Sequence, residues 1–101
     1  MGHRRSPQVD SDLDGIWLHC ATEAGSIELA DRTINRITDQ FNLLNLHPYL
    51  GRTRDEDFGP GLQSLLAGEY VIVYCIEEGD VLILRVVHGR RDLKSLFELE
   101  G

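Results

Sequence analysis

The sequence predicts an α+β fold in which an N-terminal helical hairpin packs on a small antiparallel β-sheet and a short helix closes the C-terminus. Two observations lead to this prediction. Apolar residues recur every three or four positions through the first half of the chain, whereas apolar runs separated by tight turns fill the second half. The 101 residues suffice for a single domain. We divide it into a helix hairpin at about 7–46, a loop at about 47–61, a β-meander at about 62–87 and a tail at 88–101.

Two amphipathic helices are predicted for the first half, after a short edge strand at residues 2–5. Ser6 is the predicted N-cap of the first helix and is followed by a proline, whose missing N–H costs nothing in the first turn. Ser26 caps the second helix, which ends at His47 because the next residue, a proline, disfavours helical geometry there. Their apolar stripes, which can face each other, are Val9, Leu13, Ile16, Trp17 and Cys20 in the first helix and Ala30, Ile34, Ile37, Phe41 and Leu44 in the second.

The second half is predicted to form three antiparallel strands at 62–67, 70–76 and 81–87. Gly68 marks the first turn, and the glycine within segment 77–80 supplies the positive φ of a tight second hairpin. The last two strands are apolar on both faces, which is typical of central strands covered by helices or by a partner.

The loop before these strands is polar and rich in glycine, so we expect it to stay solvated rather than to pack. Its acidic run at 55–57 has the residue type of a cation site, but neighbouring acids point in different directions, which favours a solvated loop. Cys20 and Cys75 are too few for a disulfide framework and lack metal-ligand spacing, so they are expected to be ordinary buried thiols. No metal or cofactor is expected.

Charge and hydropathy narrow the range of possible functions. The chain has ten Lys or Arg against seventeen Asp or Glu, a net charge of -7, which weighs against direct binding of nucleic acid. Its longest apolar stretch, 70–76, is shorter than the roughly 20 residues that cross a bilayer, and no signal-peptide core follows the first residues. We therefore expect a cytoplasmic protein without membrane contact.

Several segments stand in an order that resembles one family. They are Ser6-Pro7 with 12–17, His47-Pro48 with 50–52, then 59–62, Gly68 with Tyr70, Tyr74, and 83–93. In this order they resemble the ParE toxins of the RelE/ParE superfamily, over about residues 6–97. The resemblance implies a toxin that binds and inhibits DNA gyrase and is neutralised by a small ParD-like antitoxin, encoded beside it, with which it forms a hetero-oligomer. Composition alone does not indicate gyrase.

The resemblance also suggests where the target binds. The expected surface is the last strand and the tail, namely Arg85, His88, Arg90, Arg91, Lys94 and Phe97. An exposed positive cluster on an acidic protein steers binding to a complementary surface. The alternative for Arg85 is an ion pair with Asp92 or with an acid of the first helix. The alternative for His88 is a hydrogen bond to a turn or to an antitoxin segment, and for the other basic residues it is a solvated helix end.

Three aromatic residues are candidate antitoxin contacts. Trp17, Tyr70 and Tyr74 suit interface anchors, because their rings combine apolar area with a polar tip. Ordinary core packing is the alternative for all three.

Two rival functions remain. RelE-like relatives cut messenger RNA on the ribosome, which requires acid–base groups and cations around the phosphate. Arg85, His88 and Arg91 could supply parts of such a site. However, Phe97 replaces the tyrosine of RelE-like sites, and Lys94 is the only lysine in the chain. We therefore assign no catalytic residue.

The other rival is an inactive toxin that is retained as the partner or co-repressor of its antitoxin. Gln63 and Glu69 stand where many relatives have arginine, so the chain has lost positive charge around its first long strand. Any role of those arginines is not carried over to this protein.

Overall fold

Two helices pack on one face of a five-stranded sheet within residues 3–90, the part of the chain that the computed structural model describes. In chain order the elements are β1 (His3–Arg5), α1 (Pro7–Glu23), α2 (Ile27–Leu46), β2 (Arg52–Thr53), β3 (Gln63–Ala67), β4 (Tyr70–Glu77) and β5 (Asp80–His88). The predicted α+β class and helical hairpin are confirmed. The predicted C-terminal helix lies outside the described residues. Neither helix in this range is long and apolar enough to span a membrane.

The sheet is mixed rather than antiparallel throughout. Its strands lie in the order β1-β5-β4-β3-β2, and β3, β4 and β5 form the predicted antiparallel meander. At one edge β1 pairs with β5 in parallel, and at the other edge β2 pairs with β3 in antiparallel orientation. The expectation of a purely antiparallel sheet was wrong for β1. A strand of three residues is too short for its pattern to reveal the direction of its neighbour.

The two serines that precede the helices have different roles. Ser26 acts as predicted, because its hydroxyl accepts a hydrogen bond at 3.0 Å from a backbone N–H in the first turn of α2. Ser6 has N-cap backbone geometry, but its hydroxyl donates to the Leu84 carbonyl at 2.8 Å instead. Its N–H also donates to the Ile83 carbonyl, at 2.9 Å. Ser6 therefore ties the start of α1 to β5.

The main core lies between the helices and the inner face of the sheet. Its buried members are Val9, Leu13 and Ile16 of α1, Ile37, Phe41 and Leu44 of α2, Ala67 of β3, Tyr70, Ile72 and Tyr74 of β4, and Val81, Ile83 and Val86 of β5. Cys20 and Ile34 are partly buried against them. The apolar stripes predicted for the helices therefore face each other and the sheet, except that Trp17 lies beside this cluster and Ala30 is buried without belonging to it.

The loop before β3 packs on the opposite face of the sheet, contrary to expectation. Phe58 is 8% exposed and, with the half-buried Leu62, covers Val71 and Val73 of β4. The Arg54 guanidinium lies over the Phe58 ring, 4.2 Å from its centroid. The prediction of a solvated loop was wrong because one aromatic side chain has enough apolar area to hold a polar segment against the sheet.

Residues weighed for metal or thiol chemistry serve the fold. Asp55 accepts the Gly61 N–H at 2.8 Å, and Asp57 forms an ion pair with Arg54 at 2.9 Å. Residues 3–90 contain no group of three or more His, Cys, Asp or Glu placed to hold a metal ion. Both cysteines are unpaired and half-buried.

Candidate functional site

A carboxylate of α1 takes the place of the edge strand where β1 ends. β1 covers the outer edge of β5 only as far as the pair formed by Arg5 and Ile83. Beyond it, the Asp12 carboxylate accepts the Val86 N–H at 2.9 Å and Arg85 Nε and Nη2 at 2.9 and 3.0 Å. The side chains of Arg85 and Asp12 are only 18% and 13% exposed. This carboxylate thus receives three hydrogen bonds and fixes α1 against β5.

A β-bulge in β5 aims Arg85 at that carboxylate. The register between β4 and β5 shifts, since Val73 faces Arg85 whereas Tyr74 faces Ile83, which leaves Leu84 as the extra residue. The structure therefore shows the ion pair with an acid of the first helix that was the alternative for Arg85. The other predicted partner of this arginine lies outside the described residues.

Replacing Asp12 with alanine is expected to lower the free energy of unfolding by about 3–5 kcal/mol, because a mostly buried arginine loses its carboxylate partner. Urea unfolding of the purified protein measures this change. Asp14→Ala, at an exposed position of the same helix, is the control and should change the free energy by less than about 0.5 kcal/mol. Equal effects of the two substitutions would contradict the role given to Asp12.

The end of β5 is held by a hydrogen-bonded turn around His88. His88 Nδ1 accepts the Arg90 N–H at 3.1 Å, and its ring meets the Tyr70 ring edge-on, with centroids 5.3 Å apart. Gly89 N–H donates to the Glu69 carbonyl at 2.8 Å, and the Glu69 carboxylate lies 3.9 Å from His88 Nε2. The turn hydrogen bond is the alternative stated for His88. Because Nδ1 is an acceptor, a neutral ring carries its proton on Nε2, the nitrogen nearer Glu69.

A groove of about 450 Å³ opens beside this turn, between α1 and β5. Gly15 and His19 contribute to one wall, and Val86 and His88 contribute to the other. Six residues were predicted to bind the target. Arg85 and His88 make the contacts just described, and Arg90 is exposed next to this groove's sheet wall. The other three lie outside the described residues: Arg91, Lys94 and Phe97.

The hydroxyl of Tyr74 joins three segments of the chain. It accepts the Gly51 N–H at 2.9 Å and lies 2.9 Å from the Pro48 carbonyl and 3.1 Å from Gln63 Oε1, to either of which it can donate. Gln63 therefore offers this hydroxyl a second acceptor, a role that an arginine at position 63 could not take. The sequence pattern does not reveal this cluster. The available signal was a glutamine at the start of a largely apolar strand.

Gly51 has no room for a side chain next to this hydroxyl. A Cβ there would overlap the Tyr74 hydroxyl and lie 2.6 Å from the Ser64 carbonyl oxygen. Gly51→Ala should therefore destabilise the fold by about 2–3 kcal/mol in thermal or urea unfolding. Gly15→Ala is the control, because nothing lies within 4 Å of its added Cβ and a helix gains about 0.5–1 kcal/mol from the change. A Gly51→Ala protein as stable as the parent would show that the loop is not held in this way.

The three predicted antitoxin anchors differ in exposure. Tyr74 is fully buried and Tyr70 is 8% exposed, so both belong to the core, which was their alternative. Trp17 is half-buried, and its indole N–H donates to Asp31 Oδ1 at 2.8 Å, which joins α1 to α2. A ring contact with a partner is therefore available to Trp17, whereas the burial of Tyr74 supports a structural role.

The surface offers a partner other apolar side chains, which the sequence analysis did not single out. They are Leu18, Ile27, Leu29, Leu43, Leu46, Tyr49, Leu50 and Leu66, with exposed fractions between 38% and 77%. Most belong to α2 or to the segment that follows it. For those in the helices, the signal in the sequence is an apolar side chain that lies off the core-facing stripe of the helix.

Alkaline pH is expected to destabilise the fold through two tyrosines. Burial raises the pKa of Tyr70, to which the adjacent Cys20 also contributes, and burial raises the pKa of Tyr74. The folded state holds these protons more tightly than the unfolded chain, so their stabilising contribution is complete below about pH 10 and is lost as pH rises through the folded values. Urea midpoints should therefore fall above about pH 10, and less so for Tyr74→Phe. The same alkaline fall in Tyr74→Phe as in the parent would exclude Tyr74 as its source.

Two solved structures with this fold come from toxin–antitoxin systems. A chain of the chromosomal ParDE system from P. aeruginosa is similar with a TM-score of 0.75 and 22% identity, over 87% of this chain and 95% of that chain. A chain of the toxin–antitoxin complex RelBE2 from Mycobacterium tuberculosis is similar with a TM-score of 0.64 and 23% identity, over 86% and 95% of the two chains. The fold is thus that of the ParE and RelE toxins.

Sequence comparison distinguishes between the ParE and the RelE toxins. The family model described as the ParE toxin of the type II toxin-antitoxin system parDE matches residues 4–93. Toxin ParE3 of Caulobacter vibrioides is 34% identical over 91 residues, which cover 90% of this chain and 89% of that relative. The chain belongs to the ParE family of type II toxins.

Proposed function

We propose that this ParE-type toxin stops growth by binding DNA gyrase rather than by catalysis. The observation that carries the proposal is the match to the ParE family model over residues 4–93, since gyrase inhibition is the activity that the resemblance to ParE implies. Gyrase acts on the bacterial chromosome. The toxin would therefore work in the cytoplasm.

The proposed target surface is the end of β5 with the tail that follows it. Asp12 holds Arg85 beneath this surface, His88 forms the turn, and Arg90 is exposed. The sequence continues this surface with Arg91, Lys94 and Phe97. On a chain of net charge -7, a local positive cluster favours one orientation of approach to a complementary acidic surface.

We also propose a ParD-like antitoxin, encoded beside the toxin, as its neutralising partner in a hetero-oligomer. The two similar solved structures described above come from toxin–antitoxin systems. Exposed apolar side chains along α2 offer area for a segment that folds on binding, and Trp17 is the one of the three predicted aromatic anchors that remains accessible beside them. The acidic net charge argues against direct nucleic-acid binding by the toxin alone.

A RelE-type ribonuclease is the alternative, favoured by the likeness to the RelBE2 chain. Such cleavage requires a general base, a proton donor and cations around the phosphate. His88 Nδ1 is occupied by the Arg90 N–H, and the neighbouring Tyr70 is buried. Phe97 stands where RelE-like sites have a tyrosine. These observations support the non-enzymatic proposal.

Induction of the protein alone is expected to stop growth, and the purified protein is expected to inhibit plasmid supercoiling by gyrase. Replacing Arg90, Arg91 and Lys94 together with alanine should raise the half-inhibitory concentration at least about tenfold, because the charge that steers association is removed. Arg52→Ala removes an exposed arginine at the far edge of the sheet and should leave inhibition within about twofold of the parent.

The same induction separates the rival functions. Co-expression of the neighbouring reading frame should restore growth and yield a complex. Codon-linked cleavage of messenger RNA with intact supercoiling would instead establish the RelE-type alternative. Normal growth on induction would indicate an inactive toxin retained as an antitoxin partner or co-repressor.

A further inference from the structure

A second groove lies between α2 and the turn that joins β3 to β4, and we call it the α2 groove. It encloses about 350 Å³. Leu29, Arg32 and Arg36 line it from α2, at the spacing of three and four residues that places side chains on one helix face. Ala67 and Tyr70, both buried, form part of the opposite side. The groove therefore combines apolar surface with a cationic helix wall.

The two arginines of this wall differ from most others in the described chain. Within residues 3–90, four arginines form ion pairs with carboxylates: Arg4, Arg5, Arg54 and Arg85. In the same part of the chain no carboxylate lies within ion-pair distance of Arg32 or Arg36, and both are exposed. Two guanidinium groups on one helix face therefore form a local positive site on a protein whose net charge is -7.

The turn next to the groove gives Arg36 its place. Gly68 has a φ of 64°, and a Cβ there would lie 3.1 Å from Arg36 Nη1 and 3.5 Å from its Cδ. The missing side chain lets the guanidinium lie against the turn. Glu69, which also lines the groove, has its carboxylate 3.9 Å from His88 Nε2. The Glu69 carboxylate therefore lies towards His88 and does not pair with Arg36, so Arg36 can bind a carboxylate from outside the described residues.

We propose that the α2 groove binds an acidic amphipathic segment of the antitoxin, a refinement that rests on the proposed function. One or two carboxylates of that segment pair with Arg32 and Arg36, whose planar guanidinium groups can each bind a carboxylate through two parallel hydrogen bonds. An apolar side chain of the same segment packs on Leu29 and the edge of Tyr70. The apolar part of the groove favours a peptide over a free inorganic anion.

The surface beyond the groove favours a partner segment that runs along α2. Leu29 and Leu43, near the two ends of this helix, are 40% and 38% exposed. Leu29, Arg32, Arg36 and Leu43 are three, four and seven residues apart, a spacing that places them on one face of α2. One continuous segment that follows this face from Leu29 to Leu43 would therefore cross the groove. Residues 91–101 of the chain itself are the competing occupant.

The test measures the affinity of the full-length toxin for the purified product of the neighbouring reading frame. Arg36→Glu should weaken binding about tenfold or more, and Arg32→Glu with Arg36→Glu about 100-fold or more, because like charges then face each other. Arg52→Glu is the matched control, since it makes the same charge change at an exposed arginine of β2 and should alter affinity by less than about threefold. Reversing the paired acid of the antitoxin to arginine should restore binding to the Arg36→Glu protein.

Each outcome decides one question. If the parent toxin does not bind that product, the proposed antitoxin partnership fails and this inference fails with it. If the parent binds but Arg36→Glu binds equally well, only the groove assignment is overturned. A double variant that unfolds at a lower temperature yet keeps its affinity would assign the groove to residues 91–101 and likewise overturn the proposal. Circular dichroism of each variant ensures that a loss of affinity is not a loss of fold.

Discussion

The carboxylate of Asp12 fixes how the helical layer lies on the sheet. Apolar packing holds the two layers together, but it is non-directional and sets no register between a helix and a strand. Three charge-assisted or backbone hydrogen bonds to one carboxylate supply that direction at the point where β1 no longer covers β5. The bulge at Leu84 is part of the same device, because it lets consecutive residues of β5, Arg85 and Val86, reach one acceptor.

The elements that repeat a pattern could be predicted from the sequence, whereas those that depend on one residue could not. Both helices and the three long strands follow from periodicities that continue over several residues. Phe58 belongs to no periodic apolar pattern, so the packing of its loop on the sheet could not be predicted. β1 is three residues long, and its parallel pairing depends on the path of everything between it and β5. Ser6 is a residue type that often caps helices, but its hydroxyl donates to the Leu84 carbonyl of β5 instead.

The candidate site was predictable to a similar degree. The sequence left two roles open for Arg85, a contact with the target and an ion pair. The bulge in β5 directs its guanidinium to Asp12, and the sequence pattern does not show that bulge. A tyrosine in an apolar strand looks the same whether its hydroxyl meets a partner protein or a buried carbonyl, and Tyr74 meets the carbonyl. The net charge is a sum over the whole chain and does not say where charges lie, so it does not reveal the local positive site formed by Arg32 and Arg36. Family membership came from the order of many weak segments.

The close approach of Gly51 to Tyr74 also restricts how the family can diverge. A side chain at position 51 is compatible with this fold only if the residue at position 74 withdraws and the Ser64 carbonyl also moves away, so substitutions at positions 51 and 74 are coupled. Gly51 lies 23 residues from Tyr74 in sequence, in a loop that is otherwise held by Phe58 and by the ion pair of Arg54 with Asp57. A relative with a small residue in place of Tyr74 lacks the hydroxyl that holds Gly51, so such a protein would have a differently anchored loop on the same sheet, and only a loop that has moved away from the Ser64 carbonyl accepts a larger residue at position 51.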